Sequence, residues 1–191
     1  DGDDFPERIF VELIKHTASD ADVLFAARVS TAGEQSLEEL QKDPERSKGL
    51  INYLMRDRHG SPFEHNSMTF FISAPIFVFR EFMRHRVGWS YNEESGRYRE
   101  LAPVFYTPAA DRKLIQQGRP GKYNFVEGTP EQLRLTEAAM RESYRQSYGA
   151  YLEMLGNGIA REVARAVLPV GIYSSMYATC NARSLMHFLS L

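Results

Sequence analysis

The longest apolar run of the chain, residues 70–79, constrains the fold more than any other stretch. It is ten residues long and contains Ser73 and Pro75, whereas a membrane-spanning helix needs about 20 apolar residues. The β-rich residues 67–73 predict a strand, and Pro75 predicts the start of a helix that continues to about Val87. Because the first turn of that helix is apolar on all sides, we expect it to be buried.

Composition places the chain among ordinary globular proteins. Of its 191 residues, 43% are hydrophobic and 25% are charged, which is usual for a folded domain. The length predicts a single domain over residues 1–191. A net charge of −2 argues against nucleic-acid binding by bulk charge, and one cysteine, Cys180, fits a reducing compartment, which we expect to be the cytoplasm. We also expect trimmed ends, because the chain lacks a starting Met and stops at Leu191 inside a predicted helix.

Capping residues and residue periodicity predict short strands among longer helices. Asp43 and Thr129 are predicted N-caps. Helices are predicted at residues 20–30, 44–59, 76–87, 130–155, 159–168 and 181–191. Strands are predicted at residues 67–73, 103–108 and 170–179. Gly88 is predicted to begin a loop, and residues 111–127 are predicted to form a polar loop around Pro120-Gly121.

Residues 80–100 have the most unusual composition of the chain. Five Arg, one His, the only Trp and two Tyr fall in these 21 positions, and no Lys does. Cations at a helix C-terminus complement the helix dipole, which accounts for one or two of these Arg but not for Arg97 and Arg99. Guanidinium groups offer a bidentate fork to phosphate or carboxylate. The stretch therefore predicts a site for an anion attached to a polar ring, such as a nucleotide.

Four ordered motifs resemble those of the flavin-dependent thymidylate synthases. They are RHR at 84–86 with NEESGRY at 92–98, HGSPFEH at 59–65, REVAR at 161–165 with Leu168-Pro169, and NARSL at 181–185. Their order and rough spacing agree with the family over residues 20–191. The family pattern has seven residues between R-H-R and Ser, whereas eight residues separate Arg86 from Ser95 here. The surplus residue is predicted near Gly88-Trp89.

The resemblance implies an α+β fold, with helices packed around a mostly antiparallel curved sheet. It also implies reductive methylation of dUMP to dTMP. Methylene-tetrahydrofolate would supply the carbon, NADPH would reduce a bound FAD, and the reduced flavin would supply the hydride. The enzyme would be a homotetramer with shared active sites, with neither nucleic acid nor a membrane as a partner.

The resemblance further implies roles for individual residues. His59 and Arg84 are expected at the catalytic centre, together with a family Arg that lies beyond Leu191. The implied dUMP ligands are Glu81, Arg84, Glu93, Glu94, Ser95, Gly96, Arg97 and Arg165. The implied FAD ligands are Ser61, Arg84, His85, Arg86, Glu93, Asn181, Arg183 and His187. Glu81 and His187 stand where family members often carry Gln and Asn.

Several of these residues have a second interpretation on sequence alone. His59 and His65 are of a metal-ligand type, but no third ligand is evident, so we predict no metal site. Arg165 is also explained as a surface residue paired with Glu162. Asn181 is a predicted N-cap, which is compatible with a position beside a polar cofactor.

Two residues of nucleophile type, Cys180 and Ser95, allow a different chemistry on sequence alone. Cys180 is predicted to be structural and Ser95 to be a ligand, because no nearby base activates either. The Tyr residues of 141–151 are predicted to pack in the core. A nucleic-acid-binding module or a different flavin or nucleotide enzyme would use the same Arg-rich stretch. Against the nucleic-acid module, the Arg residues are flanked by Glu.

Overall fold

Helices and strands are interleaved along the part of the chain that the structure, a computed structural model, describes, which is residues 9–33 and 44–191. The strands are β1 (Phe10–His16), β2 (Met68–Pro75), β3 (Trp89–Glu93), β4 (Ile115–Arg119), β5 (Lys122–Val126) and β6 (Tyr173–Cys180). The helices are α1 (Asp20–Ala32), α2 (Pro44–Arg56), α3 (Ile76–Phe82), α4 (Pro130–Gly156), α5 (Arg161–Ala164) and α6 (Ala182–Leu189). Short 3-10 turns cover Ser61–Glu64 and Arg165–Val167. The predicted α+β class is confirmed.

The strands form two sheets. The larger one has the strand order β1-β2-β6-β3, and β4 pairs with β5 in a separate hairpin. The β3–β6 and β4–β5 pairs are both antiparallel, with Trp89 opposite Cys180 and Glu93 opposite Met176 in the larger sheet. No helix in the described ranges is long and apolar enough to cross a membrane.

The chain divides into two compact units. The first is formed mainly by Ser73–Phe79 and Glu94–Ser174, and the second by Phe10–Ile72, Arg80–Glu93 and Ser175–Leu191. Each unit has its own buried apolar cluster. A single domain over residues 1–191 stays a prediction.

The core of the first unit lies along α4. Its buried members are Leu101, Phe105, Tyr144 and Ile172. The Tyr144 hydroxyl donates to the Tyr106 carbonyl at 2.9 Å, and the Tyr148 hydroxyl donates to the Leu101 carbonyl at 3.0 Å. The aromatic residues of α4 therefore pack against the segment around residues 101–106, as predicted, and fix its position with hydrogen bonds.

The core of the second unit joins α1, α2, the 3-10 turn at Ser61–Glu64 and α6. Val23, Leu54 and Phe63 are buried in it, and Met186 of α6 packs against them. This cluster fixes the first turn of α6 against residues 61–64.

Five sequence predictions need correction. The first turn of α3 was expected to be buried on all sides, but Phe77 is exposed and only Phe79 of the helix is fully buried. The helix predicted to Val87 ends at Phe82, because the Tyr91 hydroxyl donates to the Phe82 and His85 carbonyls at 3.3 and 2.6 Å and favours a turn there. The segment after Gly88 is strand β3 and not a loop. Residues 111–127 contain the β4–β5 hairpin around Pro120-Gly121. The strand predicted at 103–108 is only a single bridge between Phe105 and Ile172.

The remaining helix predictions agree with the structure to within a few residues. Thr129 caps α4 as predicted, and Asn181 caps α6. The helix predicted at 159–168 is α5 followed by a 3-10 turn. The predicted cap Asp43 lies outside the described residues.

Replacing Thr129 with Ala tests the cap of α4. The Thr129 hydroxyl accepts from Gln132 N at 3.3 Å, and Gln132 Oε1 accepts from Thr129 N at 2.8 Å. We expect the free energy of unfolding, measured in urea, to fall by about 1 kcal/mol because an orphan amide loses its acceptor. Thr136→Ala is the control, since Thr136 lies within the same helix and Ala is the better helix former there. An equal loss in both variants would contradict the capping argument.

Candidate functional site

A cavity of about 680 Å³ in the second unit brings together many of the predicted cofactor residues. We call it the arginine cavity. It is lined by the turn after α3, by the first turns of α6 and by one residue of the Ser61–Glu64 turn. Its lining residues are Glu64, Arg84, His85, Arg86, Val87, Gly88, Trp89, Asn181, Arg183, Ser184 and His187. Six of the eight predicted FAD ligands are among them.

The turn that carries Arg84, His85 and Arg86 is held against α6. Trp89 N donates to the Arg86 carbonyl at 3.1 Å, and the Ser184 hydroxyl donates to the Val87 carbonyl at 2.9 Å. Gly88 has a φ of 72°, and a Cβ there would lie 2.1 Å from Ser184 Oγ. Only glycine satisfies both conditions, because L-residues avoid positive φ and a side chain would collide. The position of the surplus residue, predicted near Gly88-Trp89, stays a prediction.

Aromatic rings support that turn. Phe82 lies with its ring centroid 5.5 Å from Trp89, 6.0 Å from Tyr91 and 4.9 Å from Phe188. The His85 ring meets Phe188 edge-on at 4.9 Å. Edge-to-face pairs of this kind restrict ring orientation. The imidazole of His85 is therefore held at the wall of the cavity by its neighbours.

The start of α6 is fixed by two asparagines. Asn181 Oδ1 accepts from Ser184 N at 2.9 Å, which confirms the predicted N-cap. Asn66 Oδ1 accepts from Ala182 N at 2.7 Å, so the segment after the Ser61–Glu64 turn also satisfies an amide of the first turn. Together these bonds place Arg183 and His187 toward the arginine cavity.

His59 lies beside a smaller cavity of about 190 Å³. Its ring stacks on Tyr53 with a centroid separation of 5.7 Å. Arg183 lines both this cavity and the arginine cavity, so His59 and the arginine motif share one neighbour within the second unit.

Three predicted site residues of the second unit line neither of these two cavities. Ser61 begins the 3-10 turn, Glu81 lies in α3, and Glu93 ends β3; all three side chains are exposed. Their predicted contacts with ligands stay predictions.

A second cationic cluster lies in the first unit, around a turn at residues 95–99. The amides of Tyr98 and Arg99 donate to the Ser95 carbonyl at 3.0 and 3.3 Å, and the Ser95 hydroxyl accepts from Arg97 N at 3.3 Å. The Arg97 guanidinium lies 5.1 Å from the Tyr98 ring. Arg99 pairs with Glu94 at 3.5 Å, so Glu94 balances Arg99.

Gly96 brings Arg165 to this turn. A Cβ at Gly96 would lie 3.4 Å from Arg165 Cδ and 3.2 Å from Leu101 Cδ1, so the buried glycine permits a close approach. Arg165 Nε donates to the Glu162 carbonyl at 3.4 Å. No carboxylate within the described residues pairs with Arg97 or Arg165. Their guanidinium groups are therefore available to an anion.

The single cysteine is buried at the end of β6. Burial raises the pKa of the Cys180 thiol to about 11, so it stays protonated near neutral pH. A thiol in this state is a poor nucleophile, which agrees with the predicted structural role. Among residues 9–33 and 44–191, no group of three or more metal-ligating side chains stands close enough together to hold a metal ion.

Sequence reasoning missed part of the cavity wall. Glu64, Gly88, Trp89 and Ser184 line the arginine cavity but were assigned no role. Glu64 and Ser184 lie inside the HGSPFEH and NARSL motifs, and Gly88-Trp89 is where the surplus residue was expected. The motif positions were the available signal, whereas the partners depend on tertiary packing.

The described residues form an α+β protein that carries one cationic cluster in each of its two units. The family model described as "Thymidylate synthase complementing protein" matches residues 12–191. The chain is 82% identical over 183 residues to the flavin-dependent thymidylate synthase of Streptomyces coelicolor, covering 96% of this chain and 74% of that protein. It is 59% identical over 188 residues to the enzyme of the same name from Tropheryma whipplei, covering 98% of this chain and 77% of that protein.

The structural comparison agrees. A crystal structure of the UMP/dUMP methylase PolB from Streptomyces cacaoi, bound with 5-Br UMP, matches with a TM-score of 0.86 and 53% identity over 97% of this chain and 76% of that one. The chain belongs to the family of flavin-dependent thymidylate synthases. The predicted family and enzyme class are therefore confirmed.

The buried thiol of Cys180 and the partly buried phenol of Tyr91 make stability fall at alkaline pH. Burial raises the pKa of Cys180 from 9.0 to about 11, and burial, with a smaller contribution from Cys180, raises the pKa of Tyr91 from 10.0 to about 12. For each group, at a pH between its ordinary pKa and its raised pKa, the folded chain holds the proton that the unfolded chain has lost. The free energy of unfolding therefore falls as pH rises from about 9 to 12.

Urea unfolding measured from pH 8 to pH 11 tests this expectation. Cys180→Ala should flatten the decline between pH 9 and 11, whatever its effect on stability at pH 8. A decline of the same slope in the variant and the unaltered chain would show that Cys180 does not contribute.

Proposed function

We propose that this chain methylates dUMP to dTMP, with methylene-tetrahydrofolate as carbon donor, NADPH as reductant and FAD as cofactor. The observation that carries the proposal is the arginine cavity, where Arg84, His85, Arg86, Asn181, Arg183 and His187 converge. Family membership supports the same reaction. A location in the cytoplasm is part of the proposal.

The residues of the cavity fit a flavin dinucleotide. A volume of about 680 Å³ lies in the usual range for small-molecule sites, roughly 300–1,000 Å³. The lining contains three Arg but only one carboxylate, that of Glu64. This excess of positive charge favours an anion such as a diphosphate. Trp89 and the restrained His85 ring supply flat, partly apolar surface for a ring system. A bound flavin, once reduced, supplies the hydride.

The chain's own contribution on this side is binding and orientation. Arg84, Arg86 and Arg183 would hold the anionic part of the cofactor. The His85 imidazole, which Phe188 restrains, would contact the ring system of the cofactor in a fixed orientation. Preorganised groups of this kind lower the entropic cost of bringing reactants together. His59, restrained by Tyr53, would complete the cleft as a neighbour of Arg183.

The cluster around residues 95–99 would bind the dUMP phosphate. Arg97 and Arg165 present guanidinium groups without a carboxylate partner in the described chain, and Ser95 presents a hydroxyl. Gly96 allows a close approach of the backbone. Arg84, Glu81, Glu93 and Glu94 remain proposed contacts of the nucleotide.

We further propose a homotetramer whose active sites are shared between subunits. The proposed phosphate ligands Ser95, Gly96, Arg97 and Arg165 belong to the first unit, and all eight proposed flavin ligands belong to the second. Sedimentation of the purified chain measures the subunit number directly.

The visible absorbance spectrum of the purified protein tests the cofactor. We expect added FAD to be taken up, and the spectrum of the bound flavin to shift when dUMP is added, because both ligands would meet in one site. UMP serves as the comparison nucleotide, since the similar PolB carries the name of a UMP/dUMP methylase. A protein that takes up no FAD would refute the proposal.

Arg97→Ala and Arg165→Ala test the phosphate site. Each should weaken dUMP binding, measured by calorimetry, by about 1–3 kcal/mol, because one partner of a charged hydrogen bond is lost. Arg134→Ala is the control, since Arg134 forms an exposed ion pair with Glu131 on α4. Unchanged dUMP affinity in both test variants would refute the assignment. A steep salt dependence, with equal binding of single-stranded DNA, would favour the nucleic-acid alternative.

A further inference from the structure

Arg183 is held in place by contacts with residues 60–64. It lies on the first turn of α6, and its guanidinium lines both the arginine cavity and the smaller cavity beside His59. Its side chain is 58% exposed, so packing alone does not fix it. A long, half-exposed Arg samples several rotamers unless a specific contact selects one.

Two residues of the HGSPFEH motif make that contact. Arg183 Nη1 donates to Glu64 Oε1, and the same guanidinium lies over Gly60. A Cβ at Gly60 would stand 2.8 Å from Arg183 Nε and 2.9 Å from Cζ. The guanidinium therefore occupies the space that any other residue at position 60 would fill.

The backbone at Gly60 does not itself require glycine. Its φ of −78° and ψ of −28° are ordinary right-handed values that every L-residue adopts. The contact with Arg183 is therefore the feature of this structure that a side chain at position 60 would disturb. Glu64 is 44% exposed, and exposed ion pairs contribute little to stability, so the pair is better explained by position than by folding.

We propose that Gly60 and Glu64 form a seat that directs the Arg183 guanidinium into the arginine cavity, and that FAD affinity depends on this seat. This inference rests on the proposed flavin function. In it Glu64 and Gly60 are positioning residues, which act through Arg183 and do not themselves bind the cofactor. Glu64 also balances the charge of Arg183 until an anion arrives.

Gly60→Ala is the sharpest test, because the backbone tolerates Ala and the flexible guanidinium can move aside. We expect the variant to fold with an unchanged urea midpoint, and its crystal structure without ligand to show the guanidinium displaced from Glu64. FAD should bind roughly tenfold more weakly, the effect of losing one charged hydrogen bond. Gly49→Ala in α2 is the matched control, since a Cβ at Gly49 meets nothing within 4 Å.

Glu64→Gln tests the other half of the seat. It should also weaken FAD binding roughly tenfold, whereas Glu131→Gln, which removes an exposed ion-paired carboxylate on α4, should not. If Glu64 acts through Arg183, the double variant Glu64→Gln/Arg183→Gln binds FAD no more weakly than Arg183→Gln alone. Additive losses would instead make Glu64 a direct ligand and overturn the seat.

FAD binding by the unaltered chain separates a failure of the proposed flavin function from a failure of the seat alone. An unaltered chain that takes up no FAD refutes the proposed function and the seat with it. An unaltered chain that binds FAD, with Gly60→Ala binding it equally well, refutes the seat alone. A guanidinium that stays in place in Gly60→Ala also refutes the seat.

Discussion

The hydrogen bond from Ser184 N to Asn181 Oδ1 fixes where α6 begins, and the arginine cavity depends on that start. β6 ends at Cys180, the cap follows at once, and the helix starts at Ala182. Three successive residues then reach three partners: Ala182 contacts Asn66, Arg183 contacts Glu64, and Ser184 contacts Val87. Because hydrogen bonds weaken steeply with distance and angle, a change in the helix start would disturb all three contacts together.

The same dependence explains why the residues of the turn at 84–89 are so constrained. The turn must present Arg84, His85 and Arg86 on consecutive positions while its own carbonyls remain paired. The single Tyr91 hydroxyl proton is shared between the His85 and Phe82 carbonyls, and the Ser184 hydroxyl donates to the Val87 carbonyl. The rings of Phe82, Trp89 and Phe188 pack together behind the turn. A cationic turn beside an apolar cluster is the result.

The fold was predictable where local chemistry determines it. Thr129-Pro130 carries a cap and a first-turn Pro, and α4 begins there. β3 was missed because polar residues alternate with Trp89 and Tyr91 in a stretch dominated by Arg, although that alternation is itself a strand pattern. The β4–β5 hairpin was missed because β4 is polar after Ile115, although Tyr123 and Phe125 alternate with polar residues in β5 and Pro120-Gly121 marks the turn.

The site was predictable only in part. The motifs named the residues of the arginine cavity, because a family resemblance carries positions directly from one chain to another. They did not pair Glu64 with Arg183, which are 119 positions apart, since such a pairing depends on how α6 packs on the Ser61–Glu64 turn. Nor did they separate the ligands of the two units, because sequence order mixes them: Arg84 belongs to the second unit, Arg97 to the first.

Trp89 lies in the wall of the arginine cavity, and it is the only tryptophan in the chain. Its indole stacks on Tyr91 at 5.9 Å and meets Phe188 at 5.6 Å. Intrinsic fluorescence excited at the indole therefore reports on this one wall and on no other part of the molecule. A chromophore that absorbs in the near ultraviolet and enters the cavity would quench that emission by energy transfer. Trp89 fluorescence therefore measures how much of the protein has a ligand bound in the cavity.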